Sequence, residues 1–282
     1  LNGSTLTFKQ DGLIKFNEAE HIYSVDGIGK LTSVSNVVGS FFKDFDAQYW
    51  SMRKCNGNCI EAAKLRDEWN AKGERASQAG TFLHKQIEDF INNRFDGQLS
   101  CLVEYCGEFV RLKEHVNIEK EWGYFLRFKA ETDITPFRTE WRVFDAEAKI
   151  AGTIDLVCAC NDDSFEIYDW KRSNKIDQLE YNRFQCGING LEHLTDTSYI
   201  HYCLQQNLYR YILEKNFQTK HFKDKDILVE ISGGTATVST GRVCPVSQLL
   251  IDKFNEDIVC TNFCRLVRPM RNYGAYLYYS WL

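Results

Sequence analysis

The sequence predicts an α/β or α+β fold, because helical and strand-like patterns occur in separate blocks of the chain. Helical spacing of apolar residues dominates the first 116 positions. Three strand-like segments follow at 138–145, 150–160 and 164–171, and Asn161-Asp162-Asp163 predicts a turn between the last two. A long helix is expected at 198–216. We therefore expect a central sheet flanked by helices, with a helical cap at the N-terminal side.

The N-terminal block predicts one hairpin followed by several helices. Residues 5–10 and 20–26 alternate in polarity and turn at Asp26-Gly27, and Thr32 or Ser33 is placed to cap a helix reaching about Phe42. Further helices are expected at 46–54, at 59–72, from about Ser77 to about Asn93, and at 101–116. The last of these would have an apolar side made of Leu102, Tyr105, Cys106, Phe109, Val110 and Leu112.

The C-terminal block predicts strands at 226–231 and 235–241, joined across Gly233-Gly234, and a helix at 246–263. No segment rich in proline, glycine and serine divides the chain. We therefore expect one domain over 1–282, with a hairpin and helical cap at 1–79, a catalytic core at 80–217, and a hairpin and helix at 218–282.

The composition is that of an ordinary globular protein, with 44% hydrophobic and 26% charged residues. No apolar run approaches the roughly 18 residues of a membrane span, so no membrane association is expected. The 11 cysteines are scattered and odd in number, which favours reduced thiols in an intracellular, reducing compartment. Cys55/Cys59 and Cys260/Cys264 share a four-residue offset, so a metal or iron–sulfur site built from them is an alternative. The C-x-x-C spacing typical of structural zinc sites is absent from the sequence.

Charge distribution bears on a nucleic-acid partner. The net charge of −5 argues mildly against binding by bulk charge. Phosphate contacts need only a local basic strip, and Lys171, Arg172 and Lys175 form one. A second strip, at 265–271, is better explained as a solvated loop or helix end.

The strongest chemical pattern lies on the strands 150–160 and 164–171. Asp155 is surrounded by apolar neighbours, where a carboxylate is costly to bury without a partner. Asp169 and Lys171 are two residues apart on the next strand, so their side chains share a face, while Trp170 points to the other. If the two strands pair about the 161–163 turn, two carboxylates and a lysine meet at one place on the sheet.

Two carboxylates at one place repel each other unless a cation binds both. Their oxygen ligands suit one or two Mg²⁺ or Mn²⁺ ions, which can polarise a phosphodiester and activate a water molecule. Lys171 would then orient the water or offset transition-state charge. The alternative is an ordinary Asp–Lys ladder on a solvent-facing strand.

Two helical segments carry further candidates. His84 and Glu88 are four residues apart, near an expected helix start, and the imidazole would complete a metal shell. Gln205 and Tyr209 have the same spacing, and an amide and a phenol suit a phosphate or a base edge. The alternatives are a surface His–Glu pair and a polar stripe on a buried helix.

The order of these motifs resembles the PD-(D/E)XK nuclease superfamily, and within it the RecB-like exonuclease branch. Gly-Thr-x-x-His at 80–84, Gly-Thr-Ile-Asp at 152–155, Asp-Trp-Lys at 169–171 and Gln-x-x-x-Tyr at 205–209 carry the resemblance. That branch includes the mitochondrial genome maintenance exonucleases and phage or viral relatives. The resemblance implies a restriction-endonuclease-like core. Ile154 stands where the name of the superfamily has proline.

The resemblance also implies roles for single residues. Asp155, Asp169 and His84 look like metal ligands, Lys171 like the catalytic lysine, and Gln205 and Tyr209 like substrate contacts. Glu88 resembles the acidic residue often found on the first core helix. Glu140, on the strand before Asp155, is a candidate metal ligand that the motifs do not fix. Cys244, Cys260 and Cys264 do not reproduce the cysteine set of iron–sulfur relatives, so no cluster is carried over.

The expected function is metal-dependent hydrolysis of DNA, by an exonuclease acting on single strands or ends. A structure-specific endonuclease, an RNA nuclease and a catalytically inactive nucleic-acid-binding module are the alternatives. The aromatic residues of the N-terminal cap would either stack bases or belong to the core. They are Phe41, Phe42, Phe45, Tyr49 and Trp50.

Overall fold

The computed structural model describes residues 11–107, 110–160, 165–173, 185–217, 225–232 and 235–242. Its helices are α1 (Val34–Gly39), α2 (Ala47–Lys54), α3 (Cys59–Ile91), α4 (Glu119–Glu131) and α5 (Ser198–Phe217). Its strands are β1 (Ile14–Asn17), β2 (Ile22–Val25), β3 (Gly29–Ser33), β4 (Ser100–Cys106), β5 (Arg111–Asn117), β6 (Thr135–Asp145), β7 (Ile150–Ala159), β8 (Phe165–Lys171), β9 (Lys225–Ser232) and β10 (Thr235–Arg242).

One mixed sheet of eight strands forms the centre of the fold, in the order β1-β2-β3-β7-β8-β9-β10 with β6 on the other edge of β7. The pairs β3–β7 and β8–β9 are parallel, and the remaining pairs in this sheet are antiparallel. The architecture is thus the predicted mixed α+β core with flanking helices, consistent with a restriction-endonuclease-like fold.

Strand β7 has a break along one of its edges. Its start pairs with β3, through Ile150 and Ala151, and its end pairs with β8 from Leu156 onward. Within the described residues, neither neighbour pairs with 152–155, whereas β6 follows the opposite edge almost throughout. This break leaves room for side chains at the middle of the sheet, and Asp155 lies in it.

Helices cover the sheet from both sides and bury two main apolar clusters. In one cluster, α1 and α5 pack against β6, β7 and the start of β8. In the other, α3 and α4 pack against the end of β7 and against Tyr168 and Trp170 of β8. The candidate site residues lie between α3 and α5, where these two apolar clusters meet the break in β7.

Most of the predicted elements are confirmed. The strands β6, β7 and β8, the helix α5 and the hairpin β9–β10 occur within a few residues of the expected bounds. Ser33 caps α1 by accepting a hydrogen bond from the Asn36 N–H, and Asp46 caps α2 in the same way. The turn at Asp26-Gly27 joins β2 to β3, which form the predicted hairpin.

The predicted break between helices at 59–72 and 77–93 is wrong. A single helix of 33 residues, α3, continues through both segments and through Gly73. A helical glycine costs only about 1 kcal/mol, and the packing of a long amphipathic helix exceeds that amount. His84 therefore lies well inside a helix and not at its start.

The predicted helix at 101–116 is also wrong, because this segment forms the antiparallel hairpin of β4 and β5. Gly107 lies in its turn and donates a backbone hydrogen bond to the Val110 carbonyl. The side chain of Gln78 on α3 pairs with both backbone polar groups of Glu104, which a helix would have satisfied internally. Helix α4 was not predicted.

Other predicted features lie outside the described residues: the strand at 5–10, the turn at 161–163, the Gly233-Gly234 connection, the helix at 246–263 and the basic strip at 265–271. Within the described part of the chain, no helix is both long enough and apolar enough to cross a membrane.

Candidate metal centre and nuclease site

Three separate elements bring a histidine and two carboxylates together at the break in β7. His84 comes from α3, Glu140 from β6 and Asp155 from β7, and one ligand atom of each lies within 4.8 Å of the others. The spacing of three nearby ligands on rigid elements is that of a preformed cation site. Glu140, which the motifs alone did not fix, therefore lies close enough to His84 and Asp155 to share a metal ion with them.

Asp155 is held by two contacts at one oxygen. Its Oδ2 accepts a 2.7 Å hydrogen bond from the Trp170 N–H and lies 3.4 Å from His84 Nδ1. Burial favours the neutral carboxyl group, but the charge and hydrogen bond of His84, the charge of Lys171 and the Trp170 N–H together lower the pKa of Asp155. Burial likewise disfavours the charged imidazole, and the Asp155 carboxylate more than compensates, which raises the pKa of His84.

Glu140 is forced into the site by an unusual backbone. Its φ of +44° lies in the left-handed region, which a non-glycine residue within a strand rarely adopts. The register of β6 and β7 continues on both sides of it, at Thr139↔Leu156 and Trp141↔Ile154. Burial and the nearby Asp155 carboxylate raise the pKa of Glu140 to about 8. Strain and electrostatic cost at one residue are typical of a functional position.

Asp169 and Lys171 form a buried ion pair next to this group. The Lys171 Nζ lies 2.5 Å from Asp169 Oδ2, and the side chains are 18% and 2% exposed. Burial raises the pKa of Asp169 to about 6, although Lys171 opposes that effect. Burial would lower the pKa of Lys171, but Asp169 and Asp155 raise it well above its usual range. Lys171 is therefore a cation in this environment.

The donor set fits a divalent cation. Burial and, after it, the nearby Asp155 carboxylate raise the pKa of Glu140, so two acidic groups that repel each other share this site. A divalent cation would remove this repulsion, and both imidazole nitrogen and carboxylate oxygen are ordinary ligands of divalent metals. His84, Glu140 and Asp155 would hold the ion, and Asp169 lies beside them on the neighbouring strand.

Gln205 and Tyr209 lie on the face of α5 that approaches β7. Gln205 Nε2 donates a 3.3 Å hydrogen bond to the Tyr209 hydroxyl. Tyr209 is only 5% exposed, and a Cβ built at Gly152 would lie 2.5 Å from its Cε1 atom. The glycine of the Gly-Thr-Ile-Asp motif therefore provides space for the tyrosine of the Gln-x-x-x-Tyr motif. Gln205 is the more accessible of the pair.

A pocket of about 410 Å³ opens beside His84 and Lys171. Its walls are formed by Ala76, Ser77, Gly80, Thr81, His84, Trp170, Lys171, Arg172 and Tyr202. Tyr202 was not selected from the sequence, and its ring centroid lies 5.1 Å from Lys171 Nζ. It precedes Gln205 by three residues on α5, so helical spacing from Gln205 is the signal that would have found it.

The other predicted site residues have different surroundings. Glu88, one turn beyond His84, is paired with Arg94 at 2.7 Å and with Lys85, and lies outside the three-residue group. Arg172 lines the pocket, but two of its nitrogens bind Glu121 of α4. Lys175 lies outside the described residues.

Comparison with known proteins places this geometry in a family. No curated protein matches the chain significantly. A solved structure described as the crystal structure of SSO0001 aligns with 79% of this chain and 72% of its own, with 12% identity and a TM-score of 0.33. A sequence profile of the PD-(D/E)XK nuclease superfamily matches residues 60–240, which include every motif described above. The chain therefore belongs to the PD-(D/E)XK nuclease superfamily.

Proposed function

We propose that this protein is an Mg²⁺- or Mn²⁺-dependent exodeoxyribonuclease of the RecB-like branch, acting on single-stranded DNA or on DNA ends. The observation that carries the proposal is the group of His84, Glu140 and Asp155, with ligand atoms within 4.8 Å and Lys171 on the adjoining strand. Superfamily membership supports hydrolysis of a nucleic acid with a divalent metal. The branch and the substrate rest on the order of the sequence motifs.

Each side chain has a separate task in this proposal. His84, Glu140, Asp155 and Asp169 hold one or two divalent ions, which when bound polarise the phosphodiester and lower the pKa of a water molecule. Lys171 stays protonated next to Asp169, so it donates hydrogen bonds to the attacking water or to a phosphate oxygen and offsets developing negative charge.

The helix α5 orients the substrate. Gln205 contacts the strand near the scissile phosphate, and the buried Tyr209 fixes the Gln205 amide through their hydrogen bond. Arg172 adds positive charge at the wall of the pocket, and Lys175 follows it in sequence. We further propose that the whole chain acts as one catalytic domain in a reducing intracellular compartment.

The experiment that tests substrate and mode compares four labelled probes with Mg²⁺ or Mn²⁺. They are linear single-stranded DNA, circular single-stranded DNA, duplex DNA and single-stranded RNA of matched sequence. An exonuclease degrades the linear strand and leaves the circle intact. Cleavage of the circle would show that the enzyme is an endonuclease. Preferential loss of RNA would show that RNA and not DNA is the substrate. Binding of DNA without cleavage would identify an inactive binding module.

A further inference from the structure

The aromatic residues of the N-terminal cap divide into two groups with different surroundings. Phe41 and Phe42 are 3% and 6% exposed and belong to the core. Phe45 and Tyr49, only a few residues later, are 60% and 51% exposed. Large aromatic side chains at the surface cost hydrophobic free energy, so their exposure needs a reason other than packing.

The exposed aromatic residues form two ring pairs, at the start of α2 and in the first half of α3, and these pairs with their cations are called the aromatic cluster. Phe45 meets Trp69 edge to face at 5.6 Å, and Tyr49 meets Trp50 at 5.2 Å, with both tryptophans partly exposed. In each pair, a cationic side chain lies over one of the rings. Arg53 lies 5.7 Å from the Trp50 ring and binds the Tyr49 hydroxyl, and Lys54 lies 5.5 Å from the Trp69 ring.

These cations are available to an anionic partner. Arg53 and Lys54 are exposed, and neither forms an ion pair with a carboxylate in the part of the chain that the structure describes. Aromatic faces interleaved with unpaired cations are what proteins use to bind single-stranded nucleic acid, because rings stack on bases and cations contact phosphates.

Helix α3 connects this cluster to the active site. At 3.6 residues per turn, Trp69, Gly73, Gly80 and His84 lie on one side of α3, since their spacings are four, seven and four. Gly73 and Gly80 have no side chains on this side, and a Cβ would meet nothing within 4 Å at Gly73 and only the Arg172 Cβ, at 3.8 Å, at Gly80. Trp69 and His84 are 15 positions apart, which is about 22 Å along the helix. That length equals about six nucleotides at a stacked spacing of about 3.4 Å.

We propose that Phe45, Tyr49, Trp50 and Trp69, with Arg53 and Lys54, form a platform that binds the single-stranded part of the DNA several nucleotides from the scissile phosphate. The strand would then follow α3 into the pocket beside His84 and Lys171. This inference rests on the proposed function and adds to it the path of the substrate.

The test measures binding and cleavage separately with single-stranded oligothymidine probes of about 5 and about 20 nucleotides. Binding is followed by fluorescence anisotropy with Mg²⁺ in an Asp169→Ala background, so that the readout needs no cleavage. Trp69→Ala and the paired change Phe45→Ala with Lys54→Ala are compared with Ile60→Ala. Ile60 is 73% exposed and lies on the opposite side of α3 from Trp69, so it is the matched control.

We expect the platform variants to raise the Kd for the long probe by about tenfold and to leave the short probe, which cannot span the distance, unchanged. In the cleaving enzyme they should raise KM for the long probe without lowering kcat. An equal effect on both probes, an equal effect of Ile60→Ala, or no effect would overturn the platform. Loss of long-probe binding on changing the platform would support it even if wild type cleaved neither probe, and only the proposed nuclease activity would then fail.

Discussion

The carboxylate of Asp155 links a strand, a helix and a neighbouring backbone. Because its Oδ2 accepts the Trp170 N–H and faces His84, the cost of burying a charge in mid-sheet is offset by a hydrogen bond and an ion pair. The Trp170 N–H is available to the Asp155 carboxylate because β8 pairs with β7 only from Leu156 onward, and Trp170 lies beyond this paired segment. An aspartate at this place is therefore both a structural tie and a candidate metal ligand.

Lys171 is expected to act in catalysis and not in metal binding. It is already a cation and has no free electron pair for a metal, so Lys171→Ala should lower the cleavage rate by at least about 100-fold while metal affinity stays nearly the same. Single-turnover cleavage and calorimetric titration with Mn²⁺ would measure the two properties. A cleavage rate near that of wild type would remove Lys171 from its assigned role.

Glu140 should make the stability of the metal-free protein depend on pH. Its pKa of about 8 lies above its ordinary value of 4.5, so the stability that the neutral form contributes is complete below pH 4.5 and is lost as the pH rises through about 8. A divalent cation favours the ionised form. Adding Mg²⁺ should therefore raise Tm more at a pH of about 8.5 than at about 6.

Glu140→Gln tests that assignment, because an amide does not titrate. It should flatten the pH dependence of Tm between about 5 and 8 and weaken the metal-induced rise. Glu88→Gln is the matched control, since Glu88 is paired with Arg94 and lies outside the three-residue group. If Glu88→Gln changed the profile as much as Glu140→Gln does, the metal site would have to be moved.

Sequence reasoning found the site residues that strand periodicity and the motifs indicate, named Glu140 without fixing its role, and missed Tyr202. Asp155, Asp169 and Lys171 follow from strand periodicity and one turn. Glu140 lies in the site with a left-handed backbone conformation, and no residue pattern in the sequence predicts that conformation. Helical spacing from Gln205 places Tyr202 on the same side of α5, but its proximity to Lys171 depends on how α5 crosses the sheet and so was not predicted.

The contact between β7 and α5 joins two of the sequence motifs physically. A methyl group at Gly152 would overlap the Tyr209 ring, so Gly152→Ala should destabilise the fold by about 1–3 kcal/mol. Urea denaturation would measure the loss. Gly73→Ala, on α3 with open space around it, is the matched control and should be neutral or stabilising by about 0.5–1 kcal/mol.

A double change distinguishes this steric explanation from general sensitivity of the strand. Combined with Tyr209→Ala, Gly152→Ala should cost less than the sum of the two single changes, because the ring that the methyl group meets is gone. Strict additivity would show that Gly152 and Tyr209 are not coupled, and the link between the two motifs would have to be abandoned.

Predictions of single elements succeeded where one local signal was sufficient. The strands β6 to β8 have clear bounds, Ser33 caps α1 as predicted, and α2 lies within the expected range 46–54. The prediction of a helix at 101–116 failed because the apolar residues of this segment fit helical spacing. The segment forms a hairpin instead, which Gln78 of α3 stabilises. That tertiary contact cannot be read from local sequence.

The apolar cores join the N-terminal segment to the catalytic strands. Val34, Val37 and Val38 of α1 share one cluster with Ile150 of β7 and Leu208 of α5. Helix α3 begins at Cys59, shortly after α2, and continues without interruption past His84. The parts of the fold therefore depend on each other through buried contacts.

We accordingly predict a single cooperative unfolding transition. Far-ultraviolet circular dichroism and tryptophan fluorescence should give the same midpoint in urea, because the five tryptophans of the described residues and the helices report on one unit. Two separated transitions would show that the N-terminal segment and the catalytic core unfold independently, and the single-domain expectation would be wrong.

The net charge of −5 is compatible with a nucleic-acid substrate if binding depends on a few local cations. A divalent ion at the acidic group would reduce the negative potential where the scissile phosphate lies. Metal should therefore strengthen DNA binding as well as permit cleavage.

Cleavage of end-labelled single-stranded DNA, with and without Mg²⁺ or Mn²⁺, tests the central claim most directly when wild type is run beside Asp169→Ala. The site described here predicts loss of the labelled strand only in the presence of metal, and no loss with Asp169→Ala even though that variant stays folded. Cleavage without metal, or undiminished cleavage by folded Asp169→Ala, would contradict a metal-dependent nuclease site at these residues.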